Sequence, residues 1–273
     1  MLQAKKSLGQ NFLEDTSFIE GILESAAIDK NEVVVEIGPG LGALTFPLTE
    51  RAGEVIAVET DPRFKETLLG ANRKNLTLIE GNILDLDLDT LLIDKNIETK
   101  TYSVVANIPY YITAPIIRRL LALRIQPRQI ILMVQDEVAK RLTAKPGDMS
   151  LLSVMAQYSA SVEKLFFVPR VAFSPIPKVD SAVIKIIPKS LVDTQEEKRF
   201  FRIVKAGFQA KRKTLVNNLI SLTGKSKGEL ELLLEKLGLR QDIRAQALSL
   251  SEWQILVDQL SGEDTKIKSE SSE

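Results

Sequence analysis

Three glycines at alternate positions, Gly38, Gly40 and Gly42, follow the apolar run Val33-Val34-Val35-Glu36-Ile37. Glycine lets a backbone turn tightly and come close to a ligand, and the amides at the start of a following helix are ready donors. The spacing G-x-G-x-G, with Pro39 between the first two, differs from the G-x-G-x-x-G of dinucleotide sites. It favours another nucleoside cofactor, S-adenosylmethionine first among them. Glu59 ends the next apolar run, where a carboxylate can accept hydrogen bonds from both hydroxyls of a ribose. A tight turn and a surface acid, taken singly, would need no ligand; the order strand, loop, helix, strand, acid favours the nucleoside.

A second constellation is Asn107-Ile108-Pro109-Tyr110, at the end of the run Tyr102–Ala106. The Asn107 side-chain oxygen and a carbonyl next to the rigid proline can accept two hydrogen bonds from an exocyclic amine, while Tyr110 stacks on the base that carries it. Phe173, in the proline-stiffened stretch from Phe166 to Val179, is the candidate for the opposite face of that base. Stacking is worth about 1–3 kcal/mol per base, comparable with the cost of taking a base out of RNA. Without partners, the same residues read as a proline turn with an aromatic plug and as core packing.

The elements that must position these residues follow from periodicity. Runs at Val33–Ile37, Val55–Glu59, Leu76–Ile79, Tyr102–Ala106, Ile130–Val134 and Val183–Ile187 read as buried strands, separated by helical stretches such as Ala114–Leu123. That alternation predicts an α/β domain with a mainly parallel sheet covered on both faces. After Pro188 comes a polar stretch, Lys189–Gln195, and then helical periodicity at Leu230, Leu233, Leu234 and Leu237. Ser226…Glu229 and Ser249…Glu252 fit capping boxes. The expected division is 1–188, an α/β cofactor-binding domain; 189–260, a small C-terminal α-helical domain; and 261–273, a disordered tail.

Composition removes whole classes of chemistry. With no Cys and no His, disulfides, thiolate metal sites and histidine-based triads are excluded, and no metal is expected. The chain opens without an apolar leader and its longest apolar run is short, so it reads as cytoplasmic. A net charge of zero hides segregation: residues 1–100 hold 10 basic and 18 acidic side chains, residues 101–190 hold 12 and 5. Lys198–Lys213 carries seven basic residues and no acid, which suits a polyanion or a single solvated basic helix.

Taken together, Gly9–Leu13, Glu36–Gly40, Asn107–Tyr110, Phe173–Ser181, Phe208–Leu215 and Arg244–Ser249 resemble the small-subunit ribosomal RNA adenine N6-dimethyltransferases of the kasugamycin-resistance type. The resemblance spans nearly the whole chain. It implies a Rossmann-like S-adenosylmethionine-dependent methyltransferase domain and, as substrate, two adjacent adenosines in a hairpin near the 3′ end of 16S rRNA. It further implies a monomer acting within the small subunit, with no membrane partner and a role in subunit biogenesis.

By the same resemblance, Asn11, Leu13 and Gly38 meet the methionine end of the cofactor or its surroundings, and Glu59 its ribose; Gly40, in the glycine loop, is a further cofactor-binding candidate. Asn82 meets the adenine, and Asn107 sits where cofactor and target join. Arg170, Lys178, Lys211, Arg212 and Lys213 are the expected RNA contacts. The chain departs from the family at Asn82, where aspartate is usual, and at Arg170 and Gln246, where proline and glutamate are common. The related erythromycin-resistance methyltransferases lack the Arg244–Ser249 segment. An assembly factor with little chemistry and a DNA-binding helical protein are the rival readings.

Overall fold

A computed structural model describes residues 4–5, 8–189 and 194–270, with side-chain detail in the last stretch over 195–261. Two compact units divide the chain: 1–140 with 160–189, and 141–159 with 190–273.

Among the described residues the first unit is built on nine strands: β1 (Phe12–Leu13), β2 (Val33–Ile37), β3 (Glu54–Glu59), β4 (Leu76–Glu80), β5 (Tyr102–Asn107), β6 (Gln129–Gln135), β7 (Ala160–Val168), β8 (Phe173–Ser174) and β9 (Ser181–Pro188). Seven form one sheet in the order β4-β3-β2-β5-β6-β9-β7; β1 and β8 pair antiparallel on their own. The pairings among β2 to β6 are parallel, and β9 runs antiparallel to both β6 and β7. The central strands are apolar throughout because they are covered on both faces: Val34, Val35, Val55, Ile56, Val104 and Ile131 are wholly buried.

Strand order reverses beside β2, between β3 and β5, the place where open α/β sheets leave a crevice for ligands. The six strands expected from the sequence are all present. The structure adds β7, whose last residues, Phe166–Val168, had read as part of the proline loop. β7 lies at the sheet edge, carries a register shift between Lys164 and Phe166, and interrupts its apolar residues with Glu163 and Lys164, so its pattern is weak.

Helices α1 (Thr16–Ala26), α2 (Thr45–Arg51), α3 (Lys65–Gly70), α4 (Leu88–Asp94), α5 (Thr113–Leu121) and α6 (Asp136–Leu142) come first along the chain; the second unit is helical: α7 (Leu151–Ser159), α8 (Thr194–Gly207), α9 (Leu215–Thr223), α10 (Lys227–Lys236) and α11 (Leu250–Glu270). Its core gathers Trp253, Leu256, Phe200, Val204, Leu215 and Leu234 together with Met149 and Val154. The helical unit therefore takes in 141–159, which the sequence had placed in the first domain. Both capping boxes are present, with Ser226 and Ser249 each exchanging bonds with the glutamate three residues on.

The basic stretch does not form one helix. α8 stops at Gly207, and Lys211–Lys213 stand exposed in the turn before α9, where Asn218 Nδ2 holds the carbonyls of Gly207 and Ala210. Instead of a tail beginning at 261, α11 continues to Glu270 and Ser261 is buried. Residues 271–273, and most of the expected linker 189–195, lie outside the described residues. No helix among the described residues is long and apolar enough to cross a membrane.

Candidate cofactor and methyl-acceptor site

At the switch point a cavity of about 290 Å³ opens within the first unit. Asn11, Leu13, Gly38, Gly40, Glu59, Asn82 and Asn107 all line it, as does Tyr110. Gly38, Gly40 and Gly42 each adopt positive φ, at 71°, 55° and 88°. At Gly42 a side chain is doubly barred, since a Cβ would also lie 2.5 Å from the Phe46 ring.

The three glycine amides of this loop are themselves engaged. Gly38 N–H donates to the Val58 carbonyl, Gly42 N–H to that of Pro39, and the following helix, α2 (Thr45–Arg51), begins only at Thr45. Gly40 N–H donates to Glu59 Oε2 at 3.0 Å. The glycines thus bring backbone close to the cavity while their own amides are spent within the fold.

Glu59 is 8% exposed, and its other oxygen, Oε1, accepts the Asp61 N–H at 2.7 Å. Each carboxylate oxygen keeps a lone pair after these bonds, so the group can still take both hydroxyls of a ribose. Asp61, 1% exposed, accepts from Arg63, from Gln10 Nε2 at 3.1 Å and from Lys5 Nζ at 3.3 Å. The Arg63 guanidinium, then Gln10 and Lys5, hold its carboxyl well below the usual range against the effect of burial. Asp61 is therefore a charged latch that fastens Lys5 and Gln10 beside the cavity at any ordinary pH. The segment between them carries Gly9, packed on the Tyr111 ring, and leads to Phe12, which covers Gly40.

Glu36, at the cavity floor, is 1% exposed, and its Oε2 has no hydrogen-bond partner. Burial pushes its carboxyl up to about 8; the Thr45 hydroxyl opposes this and the charge of Glu59 adds to it. Among the described lining residues the acids are Glu14, Glu59 and Glu36, the last kept protonated at neutral pH by its burial, and there is neither lysine nor arginine. Such a wall disfavours a pyrophosphate and suits a nucleoside bearing positive charge. S-adenosylmethionine, with its sulfonium and ammonium groups, fits it.

On the β5 side, no described group bonds the Asn107 side chain, so its amide is free to meet a substrate. Tyr110 is fixed by its hydroxyl, 2.6 Å from Ser181 Oγ at the start of β9. Burial raises its phenol pKa, with Ser181 opposing and Asp180 adding, so the ring stays neutral.

Phe173 does not join this wall. It is 3% exposed and packs in the core, opposite Leu13 in the β1–β8 pair and with Met133 and Val183. Burying that ring is worth about 2–3 kcal/mol, which favours the core over an exposed stacking position. The exposed ring at the cavity is Tyr111, 61% accessible. Sequence reasoning passed over Tyr111, Glu36, Asp61 and Ser181. Only Asp61, ahead of Pro62 at a helical turn, carried a local signal. Arg170, Lys178, Lys211, Arg212 and Lys213 are all exposed.

Fold and site together define a Rossmann-like methyltransferase that uses S-adenosylmethionine. The sequence profile of the ribosomal RNA adenine dimethylases matches residues 1–261, and the chain belongs to that family. It is 42% identical to a ribosomal RNA small subunit methyltransferase A of Streptococcus sanguinis, over 95% of this chain and 92% of the relative. A counterpart from Streptococcus thermophilus is also 42% identical, over 94% and 91%. Among solved structures, a dimethyladenosine transferase from Plasmodium falciparum superposes with a TM-score of 0.75 at 27% identity, covering 93% of this chain and 98% of the other. The 23S rRNA methyltransferase ErmE superposes at 0.74, also with 27% identity, covering 92% and 99%. The chain is thus an rRNA adenine dimethyltransferase.

Two measurements test the site. Asp61→Ala should release the amino-terminal segment and raise the cofactor KM roughly tenfold with a smaller change in kcat, as expected for lost hydrogen bonds worth about 1–2 kcal/mol. An unchanged KM would show that the latch does not shape the cavity. For Glu36, the folded chain retains a proton between about pH 4.5 and 8 that the unfolded chain releases, so this group's contribution to stability falls as pH rises through that window. Melting curves of Glu36→Gln and the parent protein should therefore diverge from pH 5 to pH 9, the variant becoming relatively more stable. A constant difference would contradict the buried, protonated carboxyl.

Proposed function

We propose that this enzyme transfers two methyl groups to N6 of each of two adjacent adenosines in a hairpin near the 3′ end of 16S rRNA. It acts as a cytoplasmic monomer on the small ribosomal subunit, in a step of subunit biogenesis. The observation that carries this reading is the unengaged Asn107 amide beside the anchored Tyr110, in the same cavity as Glu59. The names of the 42%-identical relatives support the small subunit as the particle.

S-adenosylmethionine supplies an electrophilic methyl group carried on a positive sulfur. Asn107 Oδ1 and the Ile108 carbonyl accept the two N6 hydrogens, which turns the nitrogen lone pair toward the cofactor; positioning of this kind is the main contribution. Tyr110 stacks on the base while Ser181 holds its hydroxyl. Phe173 contributes from behind, by packing against Leu13. No base is needed before attack, because the N6 proton becomes acidic only once the nitrogen has its fourth bond, and water then takes it. For the second transfer one N–H remains, so one acceptor suffices and the first methyl occupies the space of the other. Glu14 and Glu59, with no lysine or arginine on the described lining, favour the cationic cofactor. Arg170 and Lys178 in the first unit, and Lys211, Arg212 and Lys213 in the second, neutralise RNA phosphates.

The test is transfer of labelled methyl to unmethylated small-subunit particles, with large-subunit particles alongside because the fold is shared with a 23S rRNA enzyme. Dimethyladenosine confined to the small-subunit hairpin is expected; label in the large subunit, or none, would overturn the reading. Asn107→Ala should lower transfer by roughly 10²-fold or more while leaving particle binding unchanged. Equal loss of both would remove Asn107 from the methyl-accepting step.

A further inference from the structure

Asn82 lies on the loop after β4, beside the buried Ile83, and both line the cavity. Its side chain is engaged at both ends. Oδ1 accepts the Leu84 N–H at 3.1 Å, and Nδ2 donates to Asp85 Oδ2 at 2.9 Å. These contacts cannot be exchanged, since a backbone N–H needs the oxygen and a carboxylate needs the NH₂ group, so together they decide which way round the amide sits. The Asn82 carbonyl also accepts the N–H groups of Asp85 and Leu86, at 2.9 and 3.1 Å, which fixes Asp85 on the same turn. Asp85 is exposed and pairs with no cation among the described residues; the Asn82 amide is what its carboxylate serves.

An amide oxygen has two lone pairs. With one on Leu84, the other remains for a donor in the cavity, whereas a turned amide would offer N–H instead. We propose that Asp85 is a positioning residue that sets the preference for adenine in this cofactor site, by locking the Asn82 amide with its oxygen toward the N6 amine of the cofactor. This rests on the assignment of the cavity to S-adenosylmethionine. It also accounts for asparagine at position 82: an aspartate there would place a second carboxylate against Asp85 at hydrogen-bond distance, a like-charge contact that one of the two could relieve only by taking up a proton.

The test compares calorimetric binding of S-adenosylhomocysteine with that of S-inosylhomocysteine, in which a carbonyl replaces the amine, to the full-length protein. The parent protein should favour the adenine form by roughly 10²-fold or more, because a site built to bond an amine leaves a polar group unpaired with the analogue. Asp85→Ala should cut that ratio about tenfold, chiefly by weakening the adenine form, since only the Leu84 N–H then opposes a turn of the amide that would let it donate to the carbonyl. Asp85→Asn, which keeps an acceptor, should retain most of the ratio. An unchanged ratio in Asp85→Ala, with the melting temperature preserved, would overturn the proposal alone. Glu59→Ala separates this from failure of the cavity assignment: it should weaken both ligands equally without altering the ratio. If it left both affinities untouched, the assignment and the proposal would fall together.

Discussion

The Glu59 carboxylate joins the parts of the cavity that sequence distance keeps apart. One oxygen takes the amide of Gly40, the residue around which the glycine loop turns; the other takes the amide of Asp61. Asp61 in turn gathers Gln10, Lys5 and Arg63, so a single acid at the end of β3 fixes both the loop and, through its neighbour, the amino-terminal segment. Hydrogen bonds to an ionised acceptor are about twice as strong as neutral ones, and here they are largely shielded from water. The same carboxylate retains the lone pairs that a ribose needs, so the ordering of the site and the recognition of its ligand share one group.

The cavity's charge then narrows its chemistry. A parallel sheet with a glycine loop at its switch point would serve a dinucleotide as readily as a methyl donor. Carboxylates without lysine or arginine on the described wall argue against phosphate and for a cation. Opposite, Asn107 and Tyr110 present an amide and a ring, the groups that hold an aromatic amine in place. The reaction is then one of orientation: an acceptor amine and a positive methyl donor brought into line by groups that need not exchange protons.

Much of this was legible in the sequence because it was local. The buried strands announced themselves as apolar runs, and Glu59 and Asn107 could be placed because each ends such a run. Lys211, Arg212 and Lys213 stood out as charge, although their place in a turn depends on Asn218 reaching back to Gly207 and Ala210. What stayed hidden depends on contacts between distant segments. The latch joins residues 51 to 56 positions apart. Residues 141–159 join the helical unit through packing with Trp253 and its neighbours, which no local pattern records. Phe173 had the residue type for stacking, yet its pairing opposite Leu13 sends the ring into the core. At Asn82, the meaning of a one-residue departure depends on the acid three positions later.

The most direct test of this account is a crystal structure of the protein with bound S-adenosylhomocysteine. The account predicts both ribose hydroxyls on Glu59, with the Gly40 and Asp61 amides still bonded to the same carboxylate and Lys5 and Gln10 still held by Asp61. A ligand bound elsewhere, or a Glu59 that must give up Gly40 to reach the ribose, would contradict it.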